Sequence, residues 1–124
     1  EIRLVVRPDG AEAFLDGKPV ASLRGASGTR FYAGAGLDRK AKEIVLKVVN
    51  GEERPVTATV ALRNAAGIEA AGRVITLAGN PKEENDVDAP GRIVPVETAF
   101  PGFKASFPME FKASSFTILR IKTR

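Results

Sequence analysis

The chain has 124 residues and a hydrophobic content of 44%, which suits one domain with a buried core and leaves no room for a (β/α)8 barrel of about 250 residues. It has no cysteine and no histidine, which excludes disulfides, thiolate chemistry, imidazole acid–base catalysis and the usual zinc ligands. The net charge of +4 comes from lysines and arginines spread along the chain without a dense run, so we expect no nucleic-acid partner.

The sequence carries no pattern typical of a signal peptide or a membrane-spanning helix. It begins at Glu1, and we expect a processed product or a piece of a longer protein. Apolar runs such as residues 44–46 are far shorter than the roughly 20 residues that a spanning helix needs, so we expect no membrane partner. The absence of cysteine is compatible with any compartment, and the localisation stays open.

The N-terminal part of the chain predicts a β-hairpin. Residues 2–6 are apolar and β-branched, and residues 13–15 and 19–21 flank an Asp-Gly pair, which supplies the positive φ angles of a tight turn. Residues 23–29 are rich in Gly and Ser and predict a connection. We therefore divide the chain into a hairpin and connection at residues 1–28, with the end of a preceding β-domain as an alternative, and a main domain at residues 29–124.

The main domain shows strand patterns between turns and no helical period. Residues 31–33 open a strand, and residues 43–50 predict a central strand that packs on both sides, because both of its faces are apolar. Apolar and polar residues alternate at 56–63, as in a strand with one buried and one wet face. Further strands are predicted at residues 70–78, 93–96, 109–111 and 116–121. The fold class is all-β, an antiparallel Greek-key-like β-sandwich with an additional N-terminal hairpin.

An acidic loop is predicted at residues 79–91, where Pro81 and Pro90 interrupt the strand pattern. Its carboxylates are oxygen ligands of the kind that calcium prefers. The loop lacks the twelve-residue calcium pattern, with Gly at the sharp turn and a bidentate Glu at the end. We therefore predict a solvated loop and no metal site.

Two further features are typical of binding sites, a glycine-rich segment and an aromatic residue, but neither has the surrounding residues that binding needs. Gly34-Ala35-Gly36 resembles part of a phosphate loop, but no helix follows whose amides would hold the anion, so we predict a closely packed strand and no cofactor. Sugar-binding modules stack sugars on exposed aromatic rings, and this chain has no Trp and one Tyr, Tyr32. The seven Phe residues are better suited to the core, which disfavours independent sugar binding.

Four segments of the main domain form an ordered series of motifs: FYAGAGLD at 31–38, VVNGEERPVTATVAL at 48–62, NPKEENDVDAPGRIVPVE at 80–97 and SSFTILRIK at 114–122. Across residues 30–124 this series resembles the C-terminal β-domain of α-L-arabinofuranosidases, glycoside hydrolases that remove arabinofuranosyl groups from plant polysaccharides. In the resemblance, Asn85 and Asp88 belong to a string with a structural role.

The resemblance implies a non-catalytic accessory domain that packs on and stabilises the catalytic (β/α)8 barrel of a parent chain. The parent would be secreted or periplasmic, and a homo-oligomer formed through the parent stays open. The implied docking surface is an apolar face around the strand at residues 31–37 or its sheet neighbours, with Ala35 as the position at which a charge would test it. A free-standing carbohydrate-binding or adhesion sandwich is the alternative.

Paired carboxylates are what a glycosidase needs as acid and as nucleophile or base. The chain offers Glu52-Glu53 and Glu83-Glu84, each in a predicted exposed turn, and Glu97 beside a proline. Neighbouring side chains in an extended chain point apart, so neither pair has the geometry of a catalytic pair. We predict that the chain has no catalytic residue and is not itself an enzyme.

Overall fold

Ten β-strands make up the regular structure of residues 2–7, 10–15, 17–24 and 30–124, which are the residues that the computed structural model describes. In chain order they are β1 (Ile2–Arg7), β2 (Gly10–Leu15), β3 (Lys18–Arg24), β4 (Phe31–Asp38), β5 (Glu43–Asn50), β6 (Val56–Leu62), β7 (Gly72–Ala78), β8 (Val96–Phe100), β9 (Ser106–Phe111) and β10 (Ser115–Lys122). Within this part of the chain, no helix has the length and apolar character to cross a membrane.

The strands form two antiparallel five-stranded sheets. The first sheet has the order β1-β2-β3-β6-β9, and the second sheet has the order β4-β5-β10-β7-β8. The chain crosses between the sheets after β3, β5, β6, β8 and β9, so neighbours such as β5 and β10 are distant in sequence. The predicted antiparallel β-sandwich is confirmed.

An apolar core lies between the two sheets. Alternate residues of β6 are buried and the threonines between them are exposed, as the period of two at 56–63 predicts. Phe31 of β4 meets Phe111 of β9 edge to face, with ring centroids 5.6 Å apart, and so joins the two sheets. Each fully buried apolar side chain contributes about 1.5–3 kcal/mol, and such side chains come from both sheets. Among the most deeply buried are Leu46, Val48, Val60, Leu119 and Ile121.

The N-terminal strands are part of the first sheet. The hairpin of β2 and β3 is confirmed, with Leu15 opposite Lys18 and Gly17 at a φ of 78° in its turn. β3 in turn pairs with β6, where Ala21 lies opposite Leu62. The predicted connection at 23–29 is wrong at its start, because β3 continues to Arg24, and residues 25–29 lie outside the described residues. The domain boundary near residue 28 stays a prediction.

Strand boundaries near two prolines differ from those predicted. β8 begins at Val96, so the strand predicted at 93–96 is placed too early, because Pro95 lacks the N–H that a paired strand would use. β9 begins at Ser106, three residues before the predicted start, although it includes Pro108. Proline is tolerated there because β9 is at the edge of the first sheet.

Candidate functional site

The outer faces of the two sheets differ in chemistry. The outer face of the first sheet presents exposed polar residues on β6 and β9, among them Thr57, Thr59, Ser106 and Glu110. The outer face of the second sheet is mainly apolar, with side chains that are exposed or half-buried. We call this surface the outer apolar face, and its apolar residues are Tyr32, Val45, Val49, Ile75, Leu77, Phe116 and Ile118.

Strand register places these side chains in rows. Tyr32, Val49, Phe116 and Leu77 lie opposite one another across β4, β5, β10 and β7. Tyr32 is 52% exposed and Val49 is 39% exposed. The prediction that β5 packs on both sides is therefore wrong for this domain: the core side of β5 is buried, and the described residues place no second layer over its other side.

Glycines interrupt the outer apolar face on β4. Gly34 and Gly36 share this side of the strand with Tyr32, and a Cβ atom built on either glycine would meet no atom within 4 Å. The predicted strand is confirmed here, whereas Ala35 packs against the core, so it is the wrong position for a docking test. A shallow trough of about 590 Å³ runs beside the glycines, lined by Gly36, Val45, Lys47, Ile118 and Arg120 among others.

A ladder of alternating charges borders the same face. Glu43 of β5 has a side chain that is only 5% exposed, and its Oε2 accepts a hydrogen bond from Arg120 Nε at 2.7 Å. Arg73 of β7 lies 3.6 Å from Glu43 and 3.6 Å from Glu97 of β8. Arg120 also lies 3.6 Å from Asp38 of β4. This ladder joins all five strands of the second sheet by side-chain contacts.

Asn50 is a structural residue that the sequence analysis does not single out. It is 1% exposed at the end of β5. Its Nδ2 lies within 3.2 Å of three main-chain carbonyls, those of Arg54, Phe111 and Lys112, and its Oδ1 accepts a bond from the Glu52 amide. The side chain thus ties the β5–β6 turn to the β9–β10 turn. Its position before a glycine is the only local signal, and its partners are not visible in the sequence.

The acidic loop between β7 and β8 is held by its own polar groups. Asn85 donates to the Ile93 carbonyl at 2.8 Å and accepts from the Ile93 amide at 2.7 Å, which confirms its structural role. Asp86 accepts from the amides of Asp88 and Ala89 and lies 3.4 Å from Arg92. Within the described residues, no three acidic, histidine or cysteine side chains are grouped to share a metal ion. Val87 at the loop tip is 97% exposed.

The candidate carboxylates have structural partners or face solvent. Glu52 is less exposed than predicted, since its side chain is 17% exposed and its Oε1 accepts a bond from the Arg30 amide at 3.0 Å. Glu53, Glu83 and Glu84 are exposed, and Glu97 pairs with Arg73. The structure does not bring these residues together as an acid and base facing one cavity.

Two other cavities have at most one acidic side chain each. One cavity of about 270 Å³ lies at the end of the sandwich, and apolar side chains such as Val20, Leu37 and Ile44 line it without any carboxylate. A groove of about 440 Å³ lies between the acidic loop and the end of the outer apolar face, with Glu83 as its single carboxylate. Neither offers the two facing carboxylates of a glycosidase.

Comparison with known proteins gives a consistent relationship. The chain matches no protein-family model. It is 30% identical over 119 residues to an extracellular exo-α-L-arabinofuranosidase of Streptomyces chartreusis, a match that takes in 94% of this chain and 13% of that protein. The chain thus spans only a small part of the relative's length.

Solved structures give the same result for the fold. An arabinose-bound GH51 α-L-arabinofuranosidase superposes with a TM-score of 0.73 at 17% identity, over 93% of this chain and 17% of that one. The enzyme of Thermotoga petrophila gives a TM-score of 0.68 at 17% identity, over 96% and 25%. The arabinose complex of the Thermotoga maritima enzyme gives 0.64 at 18% identity, over 97% and 23%. In sequence and in fold, the chain is therefore similar to a minor β-sandwich portion of α-L-arabinofuranosidases, as its motifs predict.

Proposed function

We propose that the chain is a non-catalytic accessory domain of an α-L-arabinofuranosidase-type glycoside hydrolase, and that it packs on and stabilises the catalytic (β/α)8 barrel of the same polypeptide. One observation carries this proposal: 94% of the chain matches only 13% of an exo-α-L-arabinofuranosidase. A domain that is so small a part of its relative leaves ample chain for a separate catalytic domain.

The distribution of carboxylates supports a non-catalytic role. Glycoside hydrolysis needs two carboxyl groups about 5–10 Å apart on either side of the bond that is cleaved. The three cavities described above have at most one carboxylate each, and in one of them that carboxylate, Asp38, is already paired with Arg120. Glu43 and Glu52 are held by arginine side chains or main-chain amides.

A free-standing carbohydrate-binding or adhesion module is less well supported. Such a module would present a row of exposed aromatic rings along a groove. Here Tyr32 and Phe116 are separated by Val49, and the other apolar residues on the face are aliphatic. A broad apolar patch with few aromatic residues is more typical of a protein interface. Secretion of the parent, and a homo-oligomer formed through it, remain predictions.

An activity assay tests the proposal. The purified 124-residue chain should not hydrolyse a chromogenic α-L-arabinofuranoside, whereas the polypeptide that joins it to a catalytic domain should. Deletion of the domain should lower the melting temperature of that polypeptide by about 5 °C or more, because a stabilising interface is lost. Hydrolysis by the chain alone that disappears in Glu52→Gln or Glu83→Gln would contradict the proposal, and these two variants also reveal a contaminating enzyme, whose activity they would not change.

A further inference from the structure

We propose that the outer apolar face of the second sheet is the surface on which the catalytic portion of the same polypeptide docks, with closest approach at Gly34 and Gly36 and an acidic side chain opposite Lys47. The inference rests on the proposed function and adds the location and chemistry of the interface. Three independent observations support it: the asymmetry of the two sheets, the glycines and the charge of Lys47.

The asymmetry of the sandwich points to one face. The outer side chains of β6 and β9 are mainly polar, with Ala61 and Pro108 as the exceptions, as is usual where a sheet meets water. The corresponding outward side chains of β4, β5, β10 and β7 are mainly apolar across four adjacent strands, with Lys47 among them and the charge ladder at their border. Tyr32 and Val49 are exposed and the other apolar residues of the face are half-buried. Contiguous apolar surface that water still reaches marks interaction sites in soluble proteins. The second sheet is therefore the side that a partner covers.

The glycines of β4 are not required by the domain itself. Gly67 has a φ of 67°, and a Cβ on Gly72 would lie 2.6 Å from Phe103, so the fold requires both of these glycines. Gly34 and Gly36 have neither a positive φ nor a neighbour within 4 Å of a Cβ. Glycine in a strand interior lowers stability, and it is found where another backbone approaches closely. The approaching group lies outside the described residues.

Lys47 gives the chemistry of the partner. It is exposed in the middle of the face, between Gly34 on β4 and Ile118 on β10. The ladder arginines Arg73 and Arg120 are paired, whereas Lys47 has no carboxylate within salt-bridge distance among the described residues. A lysine covered by an apolar interface must be paired, because an unpaired buried charge is strongly destabilising. An acidic side chain on the docked surface supplies that partner.

The occupant is the remainder of the enzyme. In the Streptomyces relative this domain accounts for 13% of the chain, and in the solved arabinofuranosidases described above for 17–25%. A catalytic portion on the same polypeptide is present at high effective concentration, so a modest apolar face suffices to keep it docked.

Thermal melts of valine variants test the inference in the isolated chain and in the full polypeptide. In the 124-residue chain, Gly34→Val and Gly36→Val should keep or raise the melting temperature, because valine favours strands and meets open space. In the full polypeptide each should lower it by about 3 °C or more, because the side chain separates the docked surfaces. Thr59→Val, on the outer face of the first sheet, is the matched control and should change neither protein strongly.

Charge reversal gives a second comparison. Lys47→Glu should lower the melting temperature of the full polypeptide more than that of the 124-residue chain. Lys104→Glu makes the same change of charge at an exposed loop position and should affect both proteins equally.

Hydroxyl-radical footprinting of the wild-type proteins measures coverage of the outer apolar face without any variant. Hydroxyl-radical oxidation of Tyr32 in the wild-type proteins should be severalfold slower in the full polypeptide than in the chain alone. Equal oxidation of Tyr32 in both proteins, or equal effects of the valine variants in both proteins, would overturn the proposed docking face. The proposed function would still stand if the full polypeptide is active. Protection of Tyr32 in the isolated chain that increases with protein concentration would show a second copy as the occupant and would also overturn it.

Discussion

At the scale of single residues, Asn50 shows how one polar side chain can join distant parts of the fold. The carbonyls of Phe111 and Lys112, which accept from its Nδ2, lie 61 and 62 residues away in sequence. Four buried or half-buried main-chain groups lie within hydrogen-bonding distance of one side-chain amide, whose two N–H groups are shared among three carbonyls. A buried polar group of this kind is costly to remove, because its partners lose their hydrogen bonds and cannot reach water.

We predict that Asn50→Ala lowers the free energy of unfolding by about 2–3 kcal/mol. Urea denaturation of the 124-residue chain measures the difference. Asn80→Ala is the control, since Asn80 is exposed and, among the described residues, its side chain accepts one hydrogen bond, from the Lys82 amide. We expect a change within about 0.5 kcal/mol. Equal losses in the two variants would contradict the role of Asn50.

At the scale of strands, alternation in the sequence predicts burial where one face is wet and the other is dry. This holds for β6, whose threonines are exposed and whose valines are buried. It fails for β5, because Val45 and Val49 are as apolar as its core residues, so the pattern cannot show that they face away from the core. The boundary near Pro95 also differs, since proline lacks the N–H that strand pairing uses and β8 begins only after it.

The charge ladder could not be predicted either, because it depends on the order of strands in the sheet. Glu43 and Arg120 are 77 residues apart in sequence and meet because β5 and β10 are neighbours. Sequence patterns identify strands, but they do not identify which non-consecutive strands pair. For the same reason the sequence predicts an apolar face around β4 or its sheet neighbours without identifying those neighbours, whereas the outer apolar face includes residues of four strands.

We predict that Glu43→Gln lowers the free energy of unfolding by about 2 kcal/mol, because the partly buried Arg120 loses its close carboxylate partner. Glu97→Gln removes an exposed member of the same ladder, whose side chain is 52% exposed, and should change stability by less than about 0.5 kcal/mol. Chemical denaturation of both variants gives the comparison. A larger loss for Glu97→Gln would show that the ladder is not centred on Glu43.

At the scale of the whole molecule, the N-terminal strands are continuous with the sandwich. Ala13 of β2 and Ala21 of β3 are 3% and 1% exposed and belong to the core. β1 and β2 also contact β4 of the second sheet, so they close the side of the sandwich on which β4 is the edge. Because of these contacts, removing the N-terminal strands tests directly whether the chain divides into two domains at residue 28.

We predict that removal of residues 1–29 abolishes cooperative unfolding. Without β3, the strand β6 loses one row of main-chain partners and becomes an edge strand, and Leu62 loses Ala21, which lies opposite it in the first sheet. Near-UV circular dichroism and a thermal melt of residues 30–124 measure the loss of fixed packing.

Removal of residues 1–9 alone is the matched control. It deletes only the edge strand β1, so the protein should melt at a lower temperature and still unfold cooperatively, because β2 and β3 continue to pair with each other and with β6. If the longer truncation instead melted within about 3 °C of the whole chain, the hairpin would contribute little to the core. The division at residue 28 would then mark a true domain boundary, and residues 30–124 alone would be the folding unit.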